Sequence, residues 1–218
     1  MEAVRVRDVW WTPSHTTVLA GANLRIPAGE IRGLLGVAGS GRTAILRVLL
    51  GLVKPDRGSA DILGQDCWAD AVALHRSVSS RPNLAMWPGL TGSETLAFLH
   101  RLAGDSNPQR CRVLLERFGV DSDTPIGSLD ARGRKLLSLA ATFCRPARVF
   151  LVDDAVADLA APDRRVLADV LSHTPATVLL TGAEGDGTAE LCDDVSIIEA
   201  GHCGSPPAET RRQLNTSA

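Results

Sequence analysis

Eight consecutive residues in the first quarter of the chain have the types and spacing needed to bind phosphate. The stretch Gly36–Thr43 reads GVAGSGRT, which matches the loop pattern G-x-x-x-x-G-K-[ST] except for arginine in place of lysine. In such loops glycines let backbone amides close around phosphate oxygens, and the final hydroxyl group binds Mg²⁺. We therefore predict that these loop and first-turn residues bind a nucleotide: Gly36, Gly39, Ser40, Gly41, Arg42, Thr43 and Ala44.

The substitution at Arg42 leaves the chemistry of this loop open. Guanidinium keeps the positive charge, but it is a larger planar fork than the compact ammonium group of lysine. Binding of a triphosphate is compatible with this change, whereas alignment of the phosphates for cleavage is not assured. The alternative is a glycine-rich turn without a ligand.

The predicted elements on either side of the loop support a phosphate-binding function, because such loops join a strand to a helix. The apolar segment IRGLLG leads directly into it, and TAILRVLLGLV follows with apolar residues at helical spacing. Farther along, the predicted strands RVFLVDD, ATVLLTG and VSIIEAG alternate with the predicted helices DRRVLADVLSH and GTAELCDD. Strands alternating with helices predict an α/β fold with a mostly parallel sheet. The first thirty residues instead read as short strands joined by turns, and residues 69–143 as mostly helical.

Composition limits the possible partners and the number of domains. The chain has 218 residues, enough for one domain or for a core with an inserted subdomain. A net charge of −2 gives no basic footprint for nucleic acid. No apolar run is long enough to cross a bilayer and the first residues lack a secretory signal pattern, so we expect any work at a membrane to go through a partner. The five cysteines are scattered without a C-x-x-C pair, which favours reduced thiols buried as small hydrophobic side chains.

Four segments, in order, extend the pattern over almost the whole chain. They are GEIRGLLGVAGSGRTAILRVLLGLVKPDRGSADILG, LTGSETLAFLHRLAG, GSLDARGRKLLSLAATFCRPARVFLVDD and TVLLTGAEGDGTAELCDDVSIIEAG. In these segments the chain resembles the nucleotide-binding subunits of ATP-binding cassette (ABC) transporters. The resemblance implies a P-loop NTPase core at about 1–68 and 145–204, with a small N-terminal antiparallel β part, a helical insert at about 69–144, and a polar tail at 205–218.

The same resemblance implies ligands, partners and roles for individual residues. ATP and Mg²⁺ are the expected ligands, with Asp153 beside Thr43 at the metal, and Asp154 at the position of the catalytic glutamate. The alternative for the two acids is that they cap a strand. Trp11, or else Trp10, is expected to stack on adenine, unless it only packs against the core. The implied partners are a membrane-spanning subunit and a second cassette, at a cytoplasmic location on the inner face of the membrane.

One further segment is a candidate contact with that membrane subunit. The stretch LAMWP, at residues 84–88, is an apolar, turn-rich segment in the helical insert. A local hydrophobic plug is the alternative.

Several positions depart from the family pattern. The signature Leu-Ser-Gly-Gly-Gln is replaced by LDARG at residues 129–133. Ala183 stands at the place of the switch histidine, and residues 79–82 contain no glutamine where the family has one. These departures predict a degenerate cassette that binds ATP weakly or serves a structural or regulatory role.

Three other functions are compatible with the sequence. The first is an active ATPase subunit in which Arg42 and Asp154 are working substitutes. The second is a soluble P-loop enzyme that transfers a phosphoryl group to a small acceptor. The third is a protein-binding module that holds no nucleotide.

Overall fold

The computed structural model describes residues 1–80, 87–103 and 108–204. The strands are β1 (Glu2–Trp11), β2 (Leu19–Pro27), β3 (Ile31–Leu35), β4 (Arg57–Ile62), β5 (Gln65–Asp66), β6 (Val78–Ser80), β7 (Val149–Val152), β8 (Thr177–Gly182), β9 (Asp194–Glu199) and β10 (His202–Gly204). The helices are α1 (Arg42–Leu49), α2 (Ala71–Leu74), α3 (Gly92–Ala103), α4 (Pro108–Arg117), α5 (Ala131–Cys144) and α6 (Ala161–Ser172). Among the described residues, no helix combines the length and apolar character that a membrane span needs.

The strands form two sheets, one antiparallel and one mostly parallel. The four-stranded sheet has the order β2-β1-β4-β5, and its pairings are antiparallel. The six-stranded sheet has the order β10-β9-β3-β8-β7-β6, with β8 parallel to both β3 and β7, and β9 parallel to β3. Because parallel strands end at one edge, the segments that follow β3, β7 and β8 lie at the same edge of the sheet.

The chain divides into two compact units. The first contains residues 1–78, 148–157 and the described residues from 175 onward. Its apolar core draws side chains from α1 and from both sheets, among them Ile26, Leu34, Ile45, Ile62 and Leu179. The second unit contains residues 79–147 and 158–174, with buried side chains from α3, α4, α5 and α6. The predicted limits of the helical insert stay a prediction, and the predicted tail at 205–218 lies outside the described residues.

One local prediction is wrong. The segment GTAELCDD is not an α-helix, because only the 3₁₀ turn Ala189–Leu191 forms there. The Asp186 carboxylate accepts hydrogen bonds from the N–H groups of Ala183 and Thr188 at 2.8 Å each, so this segment is closed as a turn. The stretch predicted to be mostly helical contains α2, α3, α4 and nearly all of α5, together with the short strand β6.

A buried arginine ties two strands of the parallel sheet together. Arg32 on β3 has a side chain that is only 9% exposed, and it forms ion pairs with Glu30 at 2.5 Å and Asp194 at 2.8 Å. Asp194 begins β9, the neighbour of β3. A guanidinium that is shielded from water needs such partners, because an unpaired buried charge is strongly unfavourable.

We expect Arg32→Met to destabilise the protein because it leaves two acids without their shared cation. The free energy of unfolding should fall by about 3 kcal/mol. Arg25→Met is the matched control on β2, since Arg25 is 73% exposed and lies 3.8 Å from Glu2; it should change stability by less than about 0.5 kcal/mol. Urea denaturation of both variants measures the difference, and equal stabilities would contradict the role assigned to Arg32.

Candidate functional site

The loop between β3 and α1 has a backbone that glycine makes possible. A side chain at Gly36 would place its Cβ 2.4 Å from the carbonyl oxygen of Ile198. Gly41 caps α1 at a φ of 111°, in the left-handed region. Backbone bonds hold the loop at both ends, from Gly36 N–H to Gly182 O at 3.2 Å and from Gly201 N–H to Ser40 O at 2.9 Å. The loop is therefore anchored by backbone hydrogen bonds to the segments that follow β8 and β9.

Polar groups at the start of α1 suit an anion. The first-turn amides of Arg42, Thr43 and Ala44 have no partners within the helix, and the helix dipole adds positive potential there. Two side-chain atoms are buried without a hydrogen-bond partner among the described residues, namely Ser40 Oγ and Arg42 Nη1. Buried polar atoms are nearly always hydrogen-bonded in proteins. These donors therefore fit the oxygens of a bound phosphate chain.

The carboxylate of Asp153 lies between two threonine hydroxyl groups. Asp153 follows the end of β7, and its Oδ2 accepts a hydrogen bond from Thr43 Oγ1 at 2.9 Å. Its Oδ1 accepts one from Thr181 Oγ1 at 2.5 Å. The structure thus brings together Thr43 and Asp153, the two residues predicted to hold Mg²⁺. A carboxylate and a hydroxyl oxygen are donors of the kind that Mg²⁺ takes, so the pair fits this ion.

The side chain of Asp154 contacts the substituted residue of the loop. Arg42 Nη1 lies 3.1 Å from Asp154 Oδ1, at an ion-pair distance but outside hydrogen-bond geometry. Asp154 has a φ of 44°, and its N–H donates to Thr181 Oγ1 at 3.0 Å. The Arg42 side chain is 13% exposed and that of Asp154 is 48% exposed. The predicted catalytic acid and the predicted phosphate cation therefore face each other.

Thr181 is a site residue that the sequence reasoning missed. It is fully buried near the end of β8, and it holds both Asp153 and the backbone of Asp154. The register explains its position, because Val152 on β7 pairs with Leu180 on β8, which places residue 153 beside residue 181. A buried threonine at the end of a strand next to two acids is a candidate hydrogen-bond donor to them.

The two tryptophans at the end of β1 have different surroundings. The Trp10 ring lies 5.8 Å from the guanidinium carbon of Arg57, and its Nε1–H donates to Asp8 at 2.8 Å. Trp11 is partly buried and packs against the core of the first unit. Stacking of adenine on Trp11 stays a prediction.

In the second unit, the segment LDARG begins helix α5. Asp130 is its N-cap, and its carboxylate accepts a hydrogen bond from Gly133 N–H at 2.6 Å. Arg132 forms two hydrogen bonds to the buried carboxylate of Asp163, at 2.7 and 2.6 Å. These bonds raise the pKa of Arg132 above its usual value. Both charged side chains are thus engaged within their own unit.

Much of the chain, including most residues of this site, matches a known protein family. Residues 19–157, which include the phosphate loop, LDARG and both acids, match the family model described as ABC transporter. The chain belongs to the ABC transporter family. This match confirms the resemblance that the sequence predicted.

Named relatives and solved structures agree with the family match. The chain is 29% identical to the daunorubicin/doxorubicin resistance ATP-binding protein DrrA of Streptomyces peucetius, over 85% of this chain and 59% of that protein. It is 30% identical to ABC transporter A family member 5 of Arabidopsis thaliana, over 90% of this chain and 22% of that protein. The cassette thus spans about three fifths of the first relative and about a fifth of the second.

Solved structures of low sequence identity share the fold. An ATP-binding subunit of an ABC transporter aligns with a TM-score of 0.85 at 20% identity, covering 98% of this chain and 93% of that one. An ATP-binding cassette solved in its ADP conformation aligns with a TM-score of 0.79 at 15% identity and complete coverage of both chains. The predicted α/β class, with its antiparallel part and mostly parallel sheet, is confirmed.

The remaining predicted positions of the cassette lie elsewhere or outside the described residues. Ala183 donates its N–H to Asp186, in the turn described above. Ser79 donates its hydroxyl to the carbonyl oxygen of Thr142, while residues 81–82 lie outside the described part. Of the predicted partner-contact segment, residues 84–86 also lie outside it, and Trp87 contacts Phe98 edge to face with ring centroids 5.6 Å apart.

We expect Thr181→Val to loosen both acids, because it removes a donor to Asp153 and an acceptor for the Asp154 N–H. The loss of these buried bonds should lower the free energy of unfolding by about 2 kcal/mol. Thr181→Ser keeps the hydroxyl group and should recover most of that difference. Urea denaturation checks both variants, and a valine variant as stable as wild type would contradict the bridging role of Thr181.

Proposed function

We propose that this chain is the ATP-binding subunit of an ABC transporter, and that it is a degenerate cassette which holds ATP with Mg²⁺ but does not hydrolyse it effectively. The observation that carries the proposal is the contact between Arg42 and Asp154. It pairs the residue at the lysine position with the residue at the catalytic glutamate position.

Binding is supported by groups that remain in place. The loop between β3 and α1 keeps its glycines, its orphan amides and the unpartnered Ser40 Oγ. Thr43 and Asp153 keep the oxygen pair for a metal ion. The Arg42–Asp154 contact opposes binding only weakly, since an ion pair with one half-exposed partner contributes less than about 1 kcal/mol. A phosphate oxygen competing for Arg42 thus displaces a weak partner.

Hydrolysis is opposed by the position of the candidate catalytic carboxylate rather than by a loss of nucleotide-binding energy. A catalytic base has to lie within hydrogen-bond reach of the attacking water. Aspartate is one methylene shorter than the family's glutamate, and a shift of about 1 Å in a positioning group costs about a hundredfold in rate. Asp154 also contacts Arg42 in this structure, and it has to leave that weak contact before it can reach an attacking water.

The segment LDARG is also expected to weaken catalysis at the nucleotide site of a second cassette. In the family this segment faces the terminal phosphate bound by a second cassette. Here Asp130 places a carboxylate at the N-terminus of α5 and occupies the N–H of Gly133. A carboxylate near a phosphate is repelled by it, and it removes a backbone donor that the phosphate would otherwise use.

The proposal includes the partners and the location expected from the family. A membrane-spanning subunit and a second cassette are the proposed partners, with the subunit on the cytoplasmic face of the membrane. Trp87 and Phe98 are a candidate part of the contact with the membrane subunit, because Phe98 is 40% exposed and packs against Trp87. Aromatic side chains of this kind are enriched at protein interfaces.

Binding of ATP is tested on the purified full chain by isothermal titration calorimetry with MgATP. Arg42→Ala should weaken binding about tenfold or more, because it removes a charge-assisted contact to phosphate. Arg47→Ala is the matched control, since Arg47 lies on the same helix with an exposed side chain; its affinity should match wild type. If wild type binds no MgATP, the chain is a protein-binding module without nucleotide and the proposal is wrong.

Hydrolysis is tested by the steady-state ATPase rate of the chain, alone and with its membrane subunit. Wild type, Arg42→Ala and Asp154→Asn should turn over ATP at the same background rate, within about twofold. A wild-type rate that falls at least about tenfold in both variants would show that Arg42 and Asp154 are working substitutes in an active ATPase.

A further inference from the structure

Three metal-ligating side chains converge in the second unit, on three different helices. His100 lies on α3, Cys111 on α4 and Cys144 at the end of α5, and all three are buried. His100 Nε2 is 2.9 Å from Cys144 Sγ and 2.8 Å from Cys111 Sγ. The three ligand atoms lie within 4.8 Å of one another. Among the described residues, these three side chains are close enough together to hold one metal ion.

The donor set selects the class of ion. Two cysteine sulfurs with one imidazole nitrogen form a soft set, which Zn²⁺ accepts and which Mg²⁺ and Ca²⁺ do not. Two thiolates also neutralise a divalent cation, so that a buried centre of this composition carries no net charge from ion and ligands.

The spacing needs only a small adjustment to accept the ion. Zinc binds sulfur at about 2.3 Å and nitrogen at about 2.0 Å, so tetrahedral ligands lie about 3.5 Å apart. The two sulfur–nitrogen distances are shorter than this by about 0.7 Å, a gap that small side-chain rotations open. His100 Nε2 contacts both sulfurs, so one ion placed among the three atoms can replace both contacts.

A cavity beside the cluster provides room for a fourth ligand. It has a volume of about 630 Å³ and is lined by His100 and Cys111, together with Ser93, Ser122 and Asp123. Zinc sites with three protein ligands complete their tetrahedron with water or a small ligand. The arginines 101 and 112 also line the cavity, so its lining carries both basic and acidic side chains.

From this convergence we propose that His100, Cys111 and Cys144 bind one zinc ion, which fastens α3, α4 and α5 together. The site is separate from the nucleotide site in the first unit and does not depend on the function proposed above. Cys67, Cys192 and Cys203 belong to the first unit, so they lie outside this cluster.

Titration of the reduced, metal-free full chain with Co²⁺ tests the site by absorption. Wild type should bind one Co²⁺ per chain with a thiolate-to-cobalt charge-transfer band, which Zn²⁺ abolishes by displacement. Cys111→Ser and Cys144→Ser should each lose a large part of the band and bind at least about tenfold more weakly. Cys67→Ser, the matched control at a buried cysteine outside the cluster, should give the wild-type spectrum.

A second measurement keeps the test decisive if a serine variant folds poorly. Zn²⁺ should raise the melting temperature of wild type and of Cys67→Ser, because a ligand that binds the folded chain stabilises it. Absence of a charge-transfer band in folded wild type, a full band in both serine variants, or binding of Cu⁺ without binding of Zn²⁺ would each overturn the proposal.

Discussion

The parallel pairing of β8 with β3 on one side and β7 on the other determines where every group of the candidate nucleotide site lies. Leu35 pairs with Gly182 and Val152 with Leu180, so all three strands end at the same edge. The glycine loop leaves that edge from β3, the two acids leave it from β7, and Thr181 lies between them. Since side chains alternate along a strand, a register shift of one residue would turn the Thr181 hydroxyl to the opposite face. The ladder of backbone hydrogen bonds is thus a precondition for the polar contacts.

Within that frame, the groups that grip phosphate and the groups that activate water have different tolerances. Amides, a hydroxyl and a positive charge attract phosphate over a range of positions, because several weak contacts share the task. Water activation depends on one carboxylate in one place. In the function proposed above, Arg42 and Asp154 at the lysine and glutamate positions therefore affect the two tasks unequally, and the two side chains contact each other.

How much the sequence revealed depends on how local the determining interactions are. The β3–loop–α1 unit could be predicted because glycine spacing and apolar periodicity act over short distances. The segment after β8 was predicted wrongly as a helix, since the helical pattern did not show that Asp186 caps two backbone N–H groups. The Arg42–Asp154 contact joins residues 112 positions apart, and only side-chain geometry reveals it. The cysteines of α4 and α5 were read as isolated hydrophobic side chains, because nothing in their spacing brings them to His100.

The turn closed by Asp186 bears on how a bound nucleotide would be sensed in the function proposed above. A carboxylate from the turn itself already saturates the N–H groups of Ala183 and Thr188, and Ala183 offers only a methyl group where the family has an imidazole. A methyl group cannot hydrogen-bond a phosphate, so in the function proposed above the side chain at position 183 transmits no signal from a bound nucleotide to the rest of the subunit.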